Sequence, residues 1–276
     1  MAKFAAIQMA SGPNIYANLM EAGRLIEQAA IEGADLVVLP ETFAIMGEEE
    51  ADTVAVAEDE GSGLIQSFIK QQAIKNRIWI VAGTIPIKST DPTKAYAASL
   101  MYNDRGLQVA RYDKMHLFDV EICEDEDTYT ESQTIAPGTQ RIVVDTPFGK
   151  IGMAVCYDLR FPGHFRDLMA AGAEIFLVPS AFTETTGKAH WNPLLRARAI
   201  ENLCYVIAPA QGGYHINGRT TYGHSLMVDY WGNVKQELVK GSGIVTMEIE
   251  LIKQRATRKA FPVLDHRLGG CPRRSK

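Results

Sequence analysis

Long apolar runs, paired cysteines and clustered basic residues are all scarce in this sequence, and each scarcity removes a class of function. No stretch stays apolar for the roughly 20 residues that a bilayer-spanning helix needs, so no membrane partner is expected. The opening Met1-Ala2-Lys3-Phe4 leads almost directly into a strand-like run, without the charged, apolar and small-residue zones of a secretory signal. The four cysteines, at 123, 156, 204 and 271, are scattered; there is no Cys-x-x-Cys pair and no Asn-x-Ser/Thr sequon. Free thiols in a reducing cytoplasm are the expectation. The six histidines contain no His-x-x-x-His pair, so a metal site is not expected. A formal net charge of -5 gives no reason to expect nucleic acid, and the one basic cluster, Arg273, Arg274 and Lys276, reads as a solvated tail. Phosphate loop, dinucleotide fingerprint and Gly-x-Ser-x-Gly elbow are all missing, which leaves no cofactor to expect.

What is present is an ordinary globular composition, 276 residues of which 46% are hydrophobic and 22% charged. A chain of this size buries a sizeable core without staples. Short β-branched and apolar runs at 4–9, 36–40, 79–83, 142–145, 151–155, 175–179, 205–208, 225–228 and 244–249 read as buried strands. Between several of them, residues 18–33, 64–77, 165–171 and 191–202 carry helical period. Alternating strand and helix implies an α/β architecture. Residues 96–145 are strand-rich, with little helical period. No linker, repeat or low-complexity stretch divides the chain, so one domain over 1–276 is expected, with about 250–276 as a C-terminal tail. The acidic stretch Glu121–Glu126 reads as an exposed loop.

Three residues stand where chemistry is easily placed. Cys156 follows the apolar run 151–155 and precedes the abruptly polar Tyr157-Asp158-Leu159-Arg160, with a helical stretch soon after. A thiol on a strand-to-helix turn is accessible, and the turn's amides can lower its pKa or bind an oxyanion. A buried structural cysteine is the competing reading, and the local pattern leaves the two even. Glu41 closes the run Leu36-Val37-Val38-Leu39-Pro40, at the carboxyl edge where α/β sheets gather ligands. As a base it would need apolar surroundings; as a lone residue it reads as a loop glutamate. Lys114 follows a strand-like segment, 107–112, and precedes Met115 and His116. In a partly buried pocket it would stabilise an oxyanion, while the plainer reading pairs it with Asp113 at the surface. Glu131 by itself reads as exposed.

In this chain order, Glu41, Lys114 and Cys156 resemble the nitrilase superfamily, the carbon–nitrogen hydrolases. Leu39-Pro40-Glu41-Thr42-Phe43 is similar to that superfamily's glutamate motif, Tyr112-Asp113-Lys114-Met115-His116-Leu117-Phe118-Asp119 to its lysine motif, and Val155-Cys156-Tyr157-Asp158-Leu159-Arg160-Phe161-Pro162 to its cysteine motif. Glu131, in Thr130-Glu131-Ser132-Gln133 ahead of Pro137-Gly138, falls where the family has a second glutamate. The likeness covers nearly the whole chain. Later segments, Pro179-Ser180-Ala181-Phe182, Thr186-Gly187-Lys188-Ala189-His190-Trp191, Leu195 to Asn202 and Tyr222-Gly223-His224-Ser225, are similar to the branch that acts on deaminated glutathione. The ω-amidases share much of that pattern. The chain departs from it at Lys188 and Tyr230, where proline is usual, and at Gly163-His164, where Glu-Leu is usual.

The resemblance implies a four-layer α-β-β-α sandwich, a homodimer or larger homo-oligomer, and a small-molecule amide with water as the reactants. It also implies roles: Cys156 attacks the amide carbonyl, Glu41 moves protons, Lys114 and the Tyr157 N–H hold the oxyanion, and Glu131 orients Lys114. Arg160, Thr183, Thr186 and His190 would flank the substrate. For Arg160, an ion pair with Asp158 or Glu131 is the favoured reading. Three alternatives stay open: an ω-amidase acting on 2-oxoglutaramate, a Cys–His peptidase using Cys156 with His190 or His224, and a catalytically silent scaffold.

Overall fold

The computed structural model describes residues 1–122 and 127–266. Cys123, Cys271, most of the acidic stretch and the last part of the tail lie outside the described residues.

The strands are β1 (Ala2–Gln8), β2 (Leu36–Val38), β3 (Trp79–Val81), β4 (Ile85–Lys88), β5 (Ala95–Tyr102), β6 (Gln108–Asp113), β7 (Asp119–Ile122), β8 (Asp127–Thr130), β9 (Val143–Thr146), β10 (Gly149–Met153), β11 (Ile175–Leu177), β12 (Tyr205–Ala208), β13 (Gly212–Tyr214), β14 (Thr220–Tyr222), β15 (Ser225–Val228), β16 (Val234–Leu238) and β17 (Gly243–Ile249). The helices are α1 (Ile15–Ile31), α2 (Ala51–Ala55), α3 (Leu64–Asn76), α4 (Pro162–Ala170), α5 (Glu184–Asn202) and α6 (Leu251–Ala260). One sheet has the order β17-β1-β2-β3-β5-β4, with β6 on β5; the other has the order β16-β15-β12-β11-β10-β9. Parallel pairs β1–β2–β3 and β10–β11–β12 form the centre of each sheet.

The period of two along these strands builds four layers. Ala5, Ile7, Val37, Leu39 and Ile80 pack with Leu25, Ile26 and Ile69 of α1 and α3. Their neighbours Phe4, Ala6, Leu36, Val38 and Val81 join Ile151, Met153, Ile207 and Met227 from the second sheet. Phe165 and Leu168 of α4 and Leu195 and Ala199 of α5 cover that sheet's other side. The result is the expected α-β-β-α sandwich. No described helix is long and apolar enough to cross a membrane.

Two differences from the sequence reading have plain causes. Helix α5 starts seven residues earlier than its apolar period, because Thr183 caps it and accepts a hydrogen bond from the Thr186 N–H at 3.4 Å. Residues 251–260, counted above with the tail, form α6. The buried Gln254 docks that helix, donating through Nε2 to the carbonyls of Glu174 (2.7 Å) and Leu203 (2.8 Å). Arg258 adds bonds to the carbonyls of Leu203 and Ala173.

Candidate active site

Four strand ends, from the two large sheets and the small β7–β8 pair, converge on one cavity. Glu41 lies just beyond β2, Lys114 directly follows β6, Glu131 directly follows β8 and Cys156 lies just beyond β10. All four line the same space, about 1360 Å³ including its opening to solvent. The innermost three are nearly sealed: Lys114 is 2% exposed, Glu41 5% and Cys156 8%.

The backbone is held in the left-handed region at one of these positions and beside another. Cys156 has φ +47° and Thr42, next to Glu41, has φ +55°. Such angles are costly for a residue with a side chain and persist only where surrounding bonds impose them. At Cys156 those bonds come from both sides. Its N–H donates to the Pro179 carbonyl at 3.0 Å. Two residues on, the buried Asp158 carboxylate accepts the Val155 N–H (2.8 Å), the Tyr112 hydroxyl (2.6 Å) and the His116 N–H (3.1 Å). His116 Nδ1 lies 2.6 Å from the same carboxylate. Tyr112 and His116 stand two residues either side of Lys114, so one carboxylate clips the cysteine turn to the lysine segment. Burial works against the Asp158 charge, but these bonds prevail and hold its pKa below the usual carboxylate range. At Glu41, the Thr42 N–H donates to Thr84 Oγ1 (2.9 Å), and Gln211 Nε2 donates to the Glu41 carbonyl (3.0 Å).

Two glycines allow the close packing behind the site. A Cβ on Gly83 would sit 1.8 Å from the Pro40 carbonyl oxygen, and one on Gly138 would sit 2.0 Å from that of Asp113. Each touches the residue immediately before a site residue.

Lys114 is the hub of the charges. Its ammonium donates to Glu41 Oε1 at 2.8 Å and to both Glu131 oxygens at 2.7 and 2.8 Å. Burial would drive the proton off; Glu131 and Glu41 outweigh it and hold the ammonium charged well above its ordinary range. Burial pushes the Glu131 carboxyl up, with Lys114 opposing and Glu41 adding to the rise. The Glu131 carboxylate also accepts the Phe118 N–H at 2.6 Å. Burial, then the negative charge of Glu41, push the Cys156 thiol well above its usual value, so it is protonated at rest. The nearby Lys114 charge and the Ala181 backbone oppose that rise. Among the described residues, no backbone acceptor takes the Tyr157 N–H at the start of the 3₁₀ turn Cys156–Arg160.

The plainer sequence readings fail at two positions. Lys114 ignores Asp113, which pairs with Arg111 at 2.8 Å. Glu131 is half-buried and bonded, not exposed. The favoured ion pair of Arg160 is also absent, because Asp158 and Glu131 are already committed. Its Nη1 instead lies 3.1 Å from His190 Nδ1, and its guanidinium lies over the rings of Phe182 (5.2 Å) and Tyr157 (5.8 Å). Arg160, Thr183 and Thr186 line the cavity; His190 stands behind Arg160 and does not. His224 pairs with Glu237, so neither histidine of the peptidase alternative is the partner of Cys156. Sequence reasoning missed Tyr112 and Asp158 as the clip, although both lie inside the motifs. It also missed Tyr129 and Arg219, which reach the cavity from a strand and a hairpin with no motif around them.

The carbon–nitrogen hydrolase family model matches residues 3–259. A deaminated glutathione amidase of Synechocystis sp. is 41% identical over 272 residues, covering 96% of this chain and 97% of that protein. The human protein of that name is 41% identical over 267 residues, covering 95% of this chain and 81% of its own. Among solved structures, Nit3 of Saccharomyces cerevisiae, described as a member of branch 10 of the nitrilase superfamily, superposes with a TM-score of 0.85 at 32% identity, covering 95% of this chain and 94% of that one. The C. elegans NitFhit protein superposes with a TM-score of 0.90 at 37% identity; this chain spans 66% of that longer one.

Proposed function

The chain belongs to the carbon–nitrogen hydrolase family, and from that premise we propose that it is a cysteine amidase that cleaves deaminated glutathione. One observation carries the reading: a single buried ammonium, Lys114, bonded to both Glu41 and Glu131 beside a strained cysteine turn.

Each group has a task that its surroundings suit. Glu41 takes the thiol proton as Sγ attacks the amide carbonyl carbon, so the thiolate exists only as the bond forms. The carbonyl oxygen gains the negative charge, and Lys114 Nζ and the Tyr157 N–H are the donors available to it. Glu41 then gives its proton to the amide nitrogen, the C–N bond breaks and the amine leaves a thioester on Cys156. Water attacks the thioester carbon while Glu41 takes its proton. The acid departs and the proton returns to Sγ. Glu131 keeps Lys114 charged and aimed while Glu41 changes protonation state. Arg160, four residues from the nucleophile, is the partner for a carboxylate on the acyl half, as a 2-oxo acid would supply.

The 41% identity to amidases of deaminated glutathione supports that substrate over 2-oxoglutaramate. A side-by-side assay decides: kcat/KM should be higher for deaminated glutathione, and a reversed ratio makes the protein an ω-amidase. The reducing-compartment expectation goes with a working free thiol at Cys156. A homodimer or larger assembly is proposed on the family resemblance alone.

A further inference from the structure

Arg219 has no part in the chemistry above, yet it lines the same cavity. It directly precedes β14, and its backbone is fixed: its carbonyl accepts the His215 N–H (2.8 Å) and its N–H donates to Asn217 Oδ1 (3.1 Å). Asn217 Nδ2 ties this hairpin to the Gly47 carbonyl at 2.8 Å. The Arg219 guanidinium lies 5.1 Å above the Tyr129 ring. Its one hydrogen bond among the described residues goes from Nη2 to Glu50 Oε1 at 3.0 Å. Three chain segments therefore hold a cation whose other side-chain donors are uncommitted among the described residues.

Its place in the cavity sets what it can meet. Of the cations lining the space, Lys114 is neutralised by Glu41 and Glu131, and Arg160 stands on the nucleophile's own turn. Side-chain exposure rises from 2% at Lys114 to 40% at Arg219 and 35% at Glu50, which marks the latter pair as the mouth. Glu48, Glu49 and Glu50 line that mouth and would repel an arriving anion.

We infer that Arg219 is a second anion anchor, which takes a carboxylate on the amine half of the substrate and so fixes the scissile amide between two guanidinium groups. The inference rests on the amidase reading. The acyl half ends joined to Cys156 and stays by Arg160; the amine half must leave, and the mouth is where it leaves. A guanidinium steadied over an aromatic ring and already holding one carboxylate is shaped for another. Glu50 is its internal competitor, holding the guanidinium until the substrate carboxylate shares or displaces it.

The test compares kcat/KM for deaminated glutathione, which ends in a free glycine carboxylate, with that for its C-terminal glycinamide analogue, in wild type, Arg219→Gln and Glu50→Gln. Wild type should prefer the free carboxylate by roughly ten- to hundredfold, chiefly through KM. Arg219→Gln should collapse that preference towards unity. Glu50→Gln, which releases the guanidinium, should lower KM for the carboxylate substrate. If the pair merely fastens the hairpin to the 47–50 segment, both substitutions impair both substrates in parallel, and the inference is overturned. A wild-type enzyme with no carboxylate preference overturns it without any variant. A wild-type enzyme that cleaves neither amide overturns the amidase reading and this inference with it.

Discussion

At the scale of single residues, the innermost part of the site combines one cation, Lys114, with three acidic groups, Glu41, Glu131 and the Cys156 thiol, all largely buried. Removing one oxyanion donor from such a site typically costs about 3–4 kcal/mol in the transition state. Lys114→Ala should therefore lower kcat by roughly 10²–10³-fold or more, because the same change leaves two buried carboxylates without their cation. Steady-state kinetics with circular dichroism checks this; a folded Lys114→Ala enzyme with near wild-type kcat would remove Lys114 from the chemistry. Glu41, Lys114 and Cys156 each close a strand, visible as the point where an apolar run turns polar, but they became legible as a set only through their order in three motif-sized matches. Arg160 was legible as a residue but not in its contacts. Its expected partners, Asp158 and Glu131, are held by Tyr112, His116 and Lys114, which only the folded arrangement brings near.

At the scale of elements, the strands through the sheet centres were read to within a residue or two, since burial on both faces leaves continuous β-branched runs. The shorter pieces were harder. Strand β16 carries charge, the short buried β4 contains Pro86, and the hairpin β13–β14 is rich in glycine and threonine, so none of them shows a clear strand period. The clip between cysteine turn and lysine segment spans 46 residues of sequence at Tyr112–Asp158, so no local pattern announces it. The glycines behind the site give the element-scale prediction. Gly83 has φ +28°, and an added Cβ would collide with the backbone of Pro40. Gly83→Ala should cost about 2–4 kcal/mol and displace Glu41, lowering both the denaturation midpoint and kcat. Unchanged values on both counts would show that the loop gives way freely.

At the scale of the whole molecule, two buried histidines make stability depend on pH. Burial holds the pKa values of His164 and His215 below the ordinary value, and for His164 it outweighs the nearby Asp158 charge. The folded chain keeps both neutral, whereas the unfolded chain protonates them near pH 6.5. Their contribution is thus complete above about pH 6.5 and lost progressively below it. Asp158, whose pKa is lowered, adds a second loss deeper in acid, where the unfolded carboxylate already binds its proton and the folded one still resists. His164 stands where the resembling amidases carry leucine, and among the described residues neither ring nitrogen meets a partner in ordinary hydrogen-bond geometry. His164→Leu should flatten the fall in urea midpoint between about pH 7 and pH 5.5 without reversing it, because His215 remains. An unaltered slope would mean that His164 does not titrate in the fold.

The central claim is that Cys156 carries the acyl group. Acid-quenched enzyme, taken during turnover of deaminated glutathione and examined by intact mass and peptide mapping, should show the 2-oxoglutaryl group on Cys156 and none in Cys156→Ala. Sustained hydrolysis by Cys156→Ala at the wild-type rate, or acylation at another residue, would contradict the account.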